Sequence, residues 1–240
     1  MIASLGRWFF AISMVAFGIQ HLIDRGFIVG LEFVPAWIPA HAFWACFTAT
    51  ALICAGVSIA FQMKARPSAL LLGVAFFLSM LVRRAPAIVA ILRDVGERTL
   101  AFEVLALCGG ALVLATVDKL AALGRYFLAV SMAIFGIDHL WVPGLIAGLI
   151  PAWIPWHRFW PYFTAAGFIA AAICIAIGKQ VRLAGTLLGL MFFLWVVLLH
   201  APRIAAAPYN GDEWNSGFIA LAMSGCALAV AGGAGERGSP

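Results

Sequence analysis

The sequence predicts an all-α polytopic membrane protein: about eight transmembrane helices in two parallel four-helix repeats, capped on one face by proline–tryptophan segments. Three observations predict it. Hydrophobic residues make up 65% of the 240 and charged residues only 10%, with a mean hydropathy of +1.06. A soluble domain of that length needs far more polar surface. The apolar residues gather into eight segments of roughly 18 to 22 residues, the length a helix needs to cross about 30 Å of hydrocarbon. The first half of the chain also recurs in the second, and a fixed-period repeat sets the organisation of a fold.

The repeat is read residue by residue. Gly6 to Leu22 (GRWFFAISMVAFGIQHL) matches Gly124 to Leu140 (GRYFLAVSMAIFGIDHL) with 11 identities in 17 positions. Pro35 to Thr48 (PAWIPAHAFWACFT) matches Pro151 to Thr164 (PAWIPWHRFWPYFT) with 10 in 14. The offset is 118 in the first block and 116 from the second block onward, so a two-residue difference lies in the loop after the first helix. The predicted units are residues 1–118 and 119–240. The predicted spans are 4–23, 43–62, 67–91 and 99–117 in the first, and 122–141, 159–178, 182–201 and 215–233 in the second. The first span resembles a signal peptide in length, but its counterpart at Gly124 is internal, so both are structural. Four spans per unit is an even number. Both units then enter from the same side, the parallel type of repeat.

Loop charge sets the orientation. One face holds Arg7, Lys64, Arg66, Lys119, Arg125, Lys179, Arg182 and Arg237 against Asp118 and Glu236. The other holds seven arginines and eight acids. The basic residues of the first face sit in short loops, where the positive-inside rule has force. That face is assigned to the cytoplasm, which places both termini there and the chain in the cell inner membrane. A net charge of +5 does not point to nucleic acid, because the basic residues are scattered between apolar spans. Five cysteines fall in apolar stretches with no CxxC, which argues against a disulfide framework or a dithiol centre.

Chemistry is expected on the opposite, extracytoplasmic face. His21, Arg83, Arg84, His139 and His200 lie near the ends of their helices on that side, and Glu103 enters from the other direction. Ionisable groups at this level are costly and are functional candidates by default. The PAWIP segments cannot continue a helix and are too apolar for ordinary loops, so each reads as an interfacial or re-entrant cap. Trp37 and Trp153 in these caps either anchor the interface as part of an aromatic belt or line a pocket. His41 and His157, like His21 and His139, form a pair across the repeat. Such pairs either hold the caps to the bundle by hydrogen bonds or bind a headgroup. Arg83, Arg84 and Arg203 either serve a site or meet the acids and lipid phosphates of that face. Metal or haem ligation finds no diagnostic spacing such as HExxH, and no metal site is predicted. The copies are not chemically equal: Arg84 aligns with His200, Gln20 with Asp138, and Glu103 with Ile219.

The run from FGIDHL through GLIPAWIPWHRFWPYFTAAGFIAAAICIAIGK to LLGLMFFLWVVLLHAPR resembles the DoxX-like family of four-helix membrane proteins, here as a tandem fusion of two units. The first unit carries FGIQHL, VPAWIP and FW…T but has Arg84 where the pattern prefers histidine. The resemblance implies the four-helix fold and brings in three functional classes: a membrane subunit of thiosulfate:quinone oxidoreductase, partners of oxidative-stress enzymes, and assembly factors. It implies no agreed catalytic residues. Three functions are therefore carried. In the first, a quinone-linked redox subunit, His21, His139 or His200 bonds the headgroup, Asp138 or Glu103 passes protons, and a membrane or peripheral redox protein supplies electrons. The second is a non-catalytic accessory or assembly subunit. The third is a small-molecule or lipid-binding carrier.

Overall fold

A computed structural model of the chain describes residues 1–35 and 37–236, without the side chains of residues 83–85, 235 and 236. The described residues are helical and contain no strand. The long helices are α1 (Ile2–Asp24), α2 (His41–Ala60), α3 (Ala65–Ser79), α5 (Val95–Leu114), α6 (Asp118–Trp141), α8 (Phe159–Ile177), α9 (Val181–Trp195) and α11 (Gly211–Glu236). Three short helices, α4 (Ile88–Arg93), α7 (Pro143–Gly148) and α10 (Ala201–Ala206), lie on the connections. Among the described residues, seven helical segments are long and apolar enough to cross a membrane, with α3 and α9 each continuing past their regular ends. The remaining long helix, α5, has 20 residues but carries Glu97, Arg98 and Glu103 in its first three turns.

The outward surface fits a bilayer. Ile23, Phe47, Leu71, Phe163, Ile173 and Leu187 are all more than half exposed, and a water-soluble monomer does not tolerate an apolar belt of that extent. Side-chain capping is correspondingly rare. Asp94 Oδ1 accepts from the Glu97 backbone N–H at 2.8 Å at the start of α5, while α1, α2, α3, α6, α8 and α9 begin without a side-chain cap. Arg25 in the left-handed region closes α1 and lets the Gly26 N–H reach His21 O.

The packing order is not that of two self-contained bundles. α1 packs on α2, α3 on α5, α6 on α8 and α9 on α11, as neighbours within each half. The first helix of each half, however, packs on the last helix of the other: α1 on α11, and α6 on α5. α5 and α11 also touch each other, so they form the centre on which both halves lean. Both are rich in small residues, with residues 106–112 of α5 and 222–231 of α11 buried.

Contacts recur at the offsets read in the sequence. A methyl group on Gly109 would come within 2.5 Å of Gly124 O, and one on Gly225 within 2.9 Å of Gly6 O. Methyl groups on Gly73 and Gly189 would strike Leu112 and Leu228. Cys108 Sγ donates to Gly73 O at 3.2 Å and Ser224 Oγ donates to Gly189 O at 2.7 Å. Where α5 meets α11, Cys226 Sγ occupies the space over Gly110, so a sulfur fills the gap that a missing side chain leaves.

Without a hydrophobic driving force between helices in lipid, such close contacts carry association. Gly109→Ala should therefore lower stability by about 1–3 kcal/mol through overpacking, read as a lower melting temperature in detergent. Gly144→Ala, at a position with nothing within 4 Å, should leave it unchanged. Equal melting temperatures for the two variants would refute the tight α5–α6 crossing.

Candidate functional site

On the face where α1 and α6 end and α5 and α11 begin, polar side chains tie helix ends together across the halves. α3 and α9 change winding before they get there. Each passes into a π-helical turn, Met80–Arg84 and Val196–His200, at equivalent positions. The cause is local. Pro86 and Pro202 follow, and a proline both lacks an N–H and crowds the carbonyl four residues back. Those carbonyls belong to Val82 and Leu198, inside the widened turns, and π-turns of this kind frequently occur at functional sites.

His200 ends the second π-turn, and its Nδ1 is buried without a hydrogen-bond partner. Beside it, Arg203 Nη2 donates to Glu213 Oε1 at 2.9 Å. Glu213 Oε2 is buried and also lacks a partner. Arg203 and Glu213 both lie within electrostatic range of His200. A Cβ on Gly217 of α11 would come within 3.0 Å of Ile204 Cδ1 and would sit 3.5 Å from His200 Cβ, so the glycine makes room for Ile204 while α11 touches the π-turn. Arg203 thus meets an acid of its own face, one of the two roles its sequence position suggests. Arg84, the counterpart of His200, has a side chain outside the described residues.

The other histidines are placed differently. His21 is fully buried, with Nδ1 2.7 Å from Phe17 O and Nε2 3.4 Å from Leu31 O. It pins the segment that follows α1. That segment enters the bundle: Ile28 and Leu31 are buried, Phe33 packs on Phe76, and Ser79 Oγ donates to Glu32 O at 3.1 Å. His139 sits in an aromatic setting instead. Its Nδ1 is 2.8 Å from Phe135 O, and its ring lies 5.1 Å from Phe168 and stacks on Trp195 at 6.1 Å. Trp195 aligns with Ser79, so an indole stands in the second half where the inserted segment is bonded in the first. The corresponding connection, α7, buries none of its residues. α1 and α6, which carry His21 and His139, do not pack on one another. His41 lies near Phe27 at 6.3 Å, and His157 is half-buried. Trp37 and Trp153 are 80% and 64% exposed, facing outward as an interfacial belt does.

Asp138 is the most committed acid. It is 3% exposed, and its Oδ1 accepts from Arg98 Nε at 2.7 Å and Nη2 at 2.5 Å. Arg98 Nη1 also reaches Ile91 O at 3.3 Å and Leu92 O at 3.4 Å, and the guanidinium lies over Trp141 at 5.1 Å. One ion pair therefore fastens α4, α5 and α6, while Asp138 Oδ2 remains buried without a partner. Gln20, aligned with Asp138, instead donates to Gly211 O at 3.1 Å. Glu103 is half-buried on α5.

Between the halves on the same face lies a cleft of about 250 Å³, lined by Asp24, Phe27, Asn210, Asp212 and Asn215 among others. Asn215 Nδ2 bridges it to Val29 O at 3.0 Å. Among the described residues, no group of three or more histidines, cysteines and acids is arranged to hold a metal. Sequence reasoning did not find the Arg98–Asp138 pair or the role of Asn215. The pair joins residues 40 apart, and its one visible signal was an aspartate standing where the other half has glutamine.

Removing one partner of a buried pair leaves an uncompensated charge, at a cost of about 3–5 kcal/mol. Arg98→Ala should therefore lower the melting temperature sharply, and Arg98→Met with Asp138→Leu should recover most of the loss. A double variant as unstable as the single would show that the pair is not what binds α4–α6 together.

No family model matches the chain, and neither a curated protein nor a solved structure matches it.

Proposed function

We propose that this multi-pass membrane protein is a tandem DoxX-like chain that serves as a quinone-linked membrane subunit, with its headgroup site at His200, Arg203 and Glu213. In this reading residues 1–118 and 119–240 are the two fused units, α5 is the eighth span, and the site faces away from the cytoplasm. What supports it is one observation: two buried polar atoms without partners, His200 Nδ1 and Glu213 Oε2, stand in one cluster at one membrane face. An imidazole nitrogen and a carboxylate oxygen are the donor and acceptor types that suit a hydroxyl or carbonyl on a planar ring. Arg203 holds the other carboxylate oxygen and so orients Glu213.

A quinone supplies two-electron, two-proton redox chemistry when bound. The residues contribute binding and proton handling: His200 bonds one ring oxygen, and Glu213 exchanges a proton with the aqueous side. Electrons need a partner protein, because the chain has no CxxC pair. Asp138 and His21 are assigned structural roles here, since Arg98 and the inserted segment already engage them.

The accessory-subunit reading has its own supporting observation. Two of the most buried polar groups, His21 and the Arg98–Asp138 pair, serve internal architecture. It predicts co-purification with another membrane complex and tolerance of substitution at His200.

The two readings separate in one experiment. A short-chain ubiquinol or menaquinol analogue should raise the melting temperature of the purified protein by several degrees. His200→Ala and Glu213→Gln should abolish the shift, whereas His21→Ala should lower the starting melting temperature and keep the shift. No shift with either class of analogue would overturn the quinone reading.

A further inference from the structure

The cytoplasmically assigned face carries a second, paired feature. Arg7 lies in the second turn of α1 and Arg125 in the third turn of α6, at equivalent positions of the repeat. Each immediately follows the glycine at which its helix crosses the last helix of the other half, Gly6 against α11 and Gly124 against α5. The crossings bring backbones into contact, and each arginine stands directly beside one. Both residues are half-buried. In both, Nε is buried and has no hydrogen-bond partner. Neither forms an ion pair among the described residues. The acid described on this face, Asp118, is exposed at the start of α6. The face of the Arg125 guanidinium lies over the Tyr126 ring at 5.6 Å, which leaves its N–H edges to an acceptor.

The level in the membrane narrows the acceptor. At about 1.5 Å per residue, Arg7 and Arg125 lie about 8 and 10 Å inside their helix starts. The headgroup layer is about 5–8 Å thick on each side, so both positions lie just inside the hydrocarbon boundary. A long basic side chain there extends its charged end toward the interface. A guanidinium offers paired N–H donors that match a phosphate bidentately.

We infer that Arg7 and Arg125 are the centres of two equivalent binding sites for the phosphate of an anionic phospholipid headgroup, one at each seam between the halves. The occupant is a lipid rather than soluble phosphate, because the exposed residues flanking each arginine along its helix are apolar. Leu5 and Ile12 stand exposed on either side of Arg7 along α1, and Leu123 and Val130 on either side of Arg125 along α6. The inference is independent of any quinone chemistry.

Native mass spectrometry of the full-length protein purified in mild detergent tests it. With phosphatidylglycerol supplied, the wild type should retain two lipids, R7Q or R125Q one, and R7Q/R125Q none. R66Q/R182Q, a matched pair of exposed arginines on the same face, removes the same charge and should retain two. Phosphatidylcholine and inorganic phosphate should neither be retained nor raise the melting temperature. If neutralisation prevents folding, R7K/R125K serves instead: it keeps the charge but not the fork, and should retain lipid severalfold less than wild type. Retention in R7Q/R125Q or R7K/R125K equal to wild type overturns the inference. So does equal loss in R66Q/R182Q, or displacement of the lipid by inorganic phosphate.

Discussion

The close approach of backbones around α5 and α11 is the constraint on which the rest of this bundle depends. In lipid, outward apolar residues gain little by moving inward, so helices associate through van der Waals contact and interhelical hydrogen bonds. α5 and α11 supply the contact surface. Gly109, Gly110 and Gly225 remove side chains where another backbone or the Cys226 sulfur must fit. Cys108 and Ser224 then bond carbonyls of the neighbouring α3 and α9. Because α1 and α6 each lean on the central helix of the opposite half, the two halves are interleaved and neither encloses its own core.

On that frame the halves diverge where they meet the opposite face. The first half folds its connection inward, tied by His21, Ser79 and Asn215 to three helices. The second half replaces those tethers with Trp195 stacked on His139 and leaves α7 on the surface. The ion pair follows the same division, since Asp138 has Arg98 while Gln20 has only a backbone carbonyl. The two halves thus share their close helix crossings and the hydrogen bonds beside them, and differ in the polar contacts of the opposite face. The unpartnered atoms of His200 and Glu213 fall in the half whose cap stays outside.

The fold class was legible in the sequence because length, hydropathy and repeat are properties of single segments. The long helices lie within a few residues of the predicted spans. The span at 67–91 was too long because hydropathy does not register the change of winding that Pro86 imposes at Met80–Arg84. Pairing was less legible: nothing in the residues of α1 says whether its partner is α5 or α11, since both present the same small-residue surface. The polar layer was found, but not its partition. His21, His139 and Asp138 look alike as ionisable residues at one depth. Only the neighbours distinguish a pinned histidine, a stacked one and a paired carboxylate.

The crossing of α1 with α11 has a consequence for biosynthesis. α1 ends at residue 24 and its central partner begins at residue 211. At synthesis rates of about 5–20 residues per second, that interval is on the order of ten seconds or more. For most of it, the surface of α1 around Gly6 faces lipid or the insertion machinery with α2 as its main native neighbour, until α9 brings Phe193 onto Phe9. The nascent chain must hold an unfinished seam open until α11 arrives, and this makes α1 the element most exposed to wrong partners during assembly.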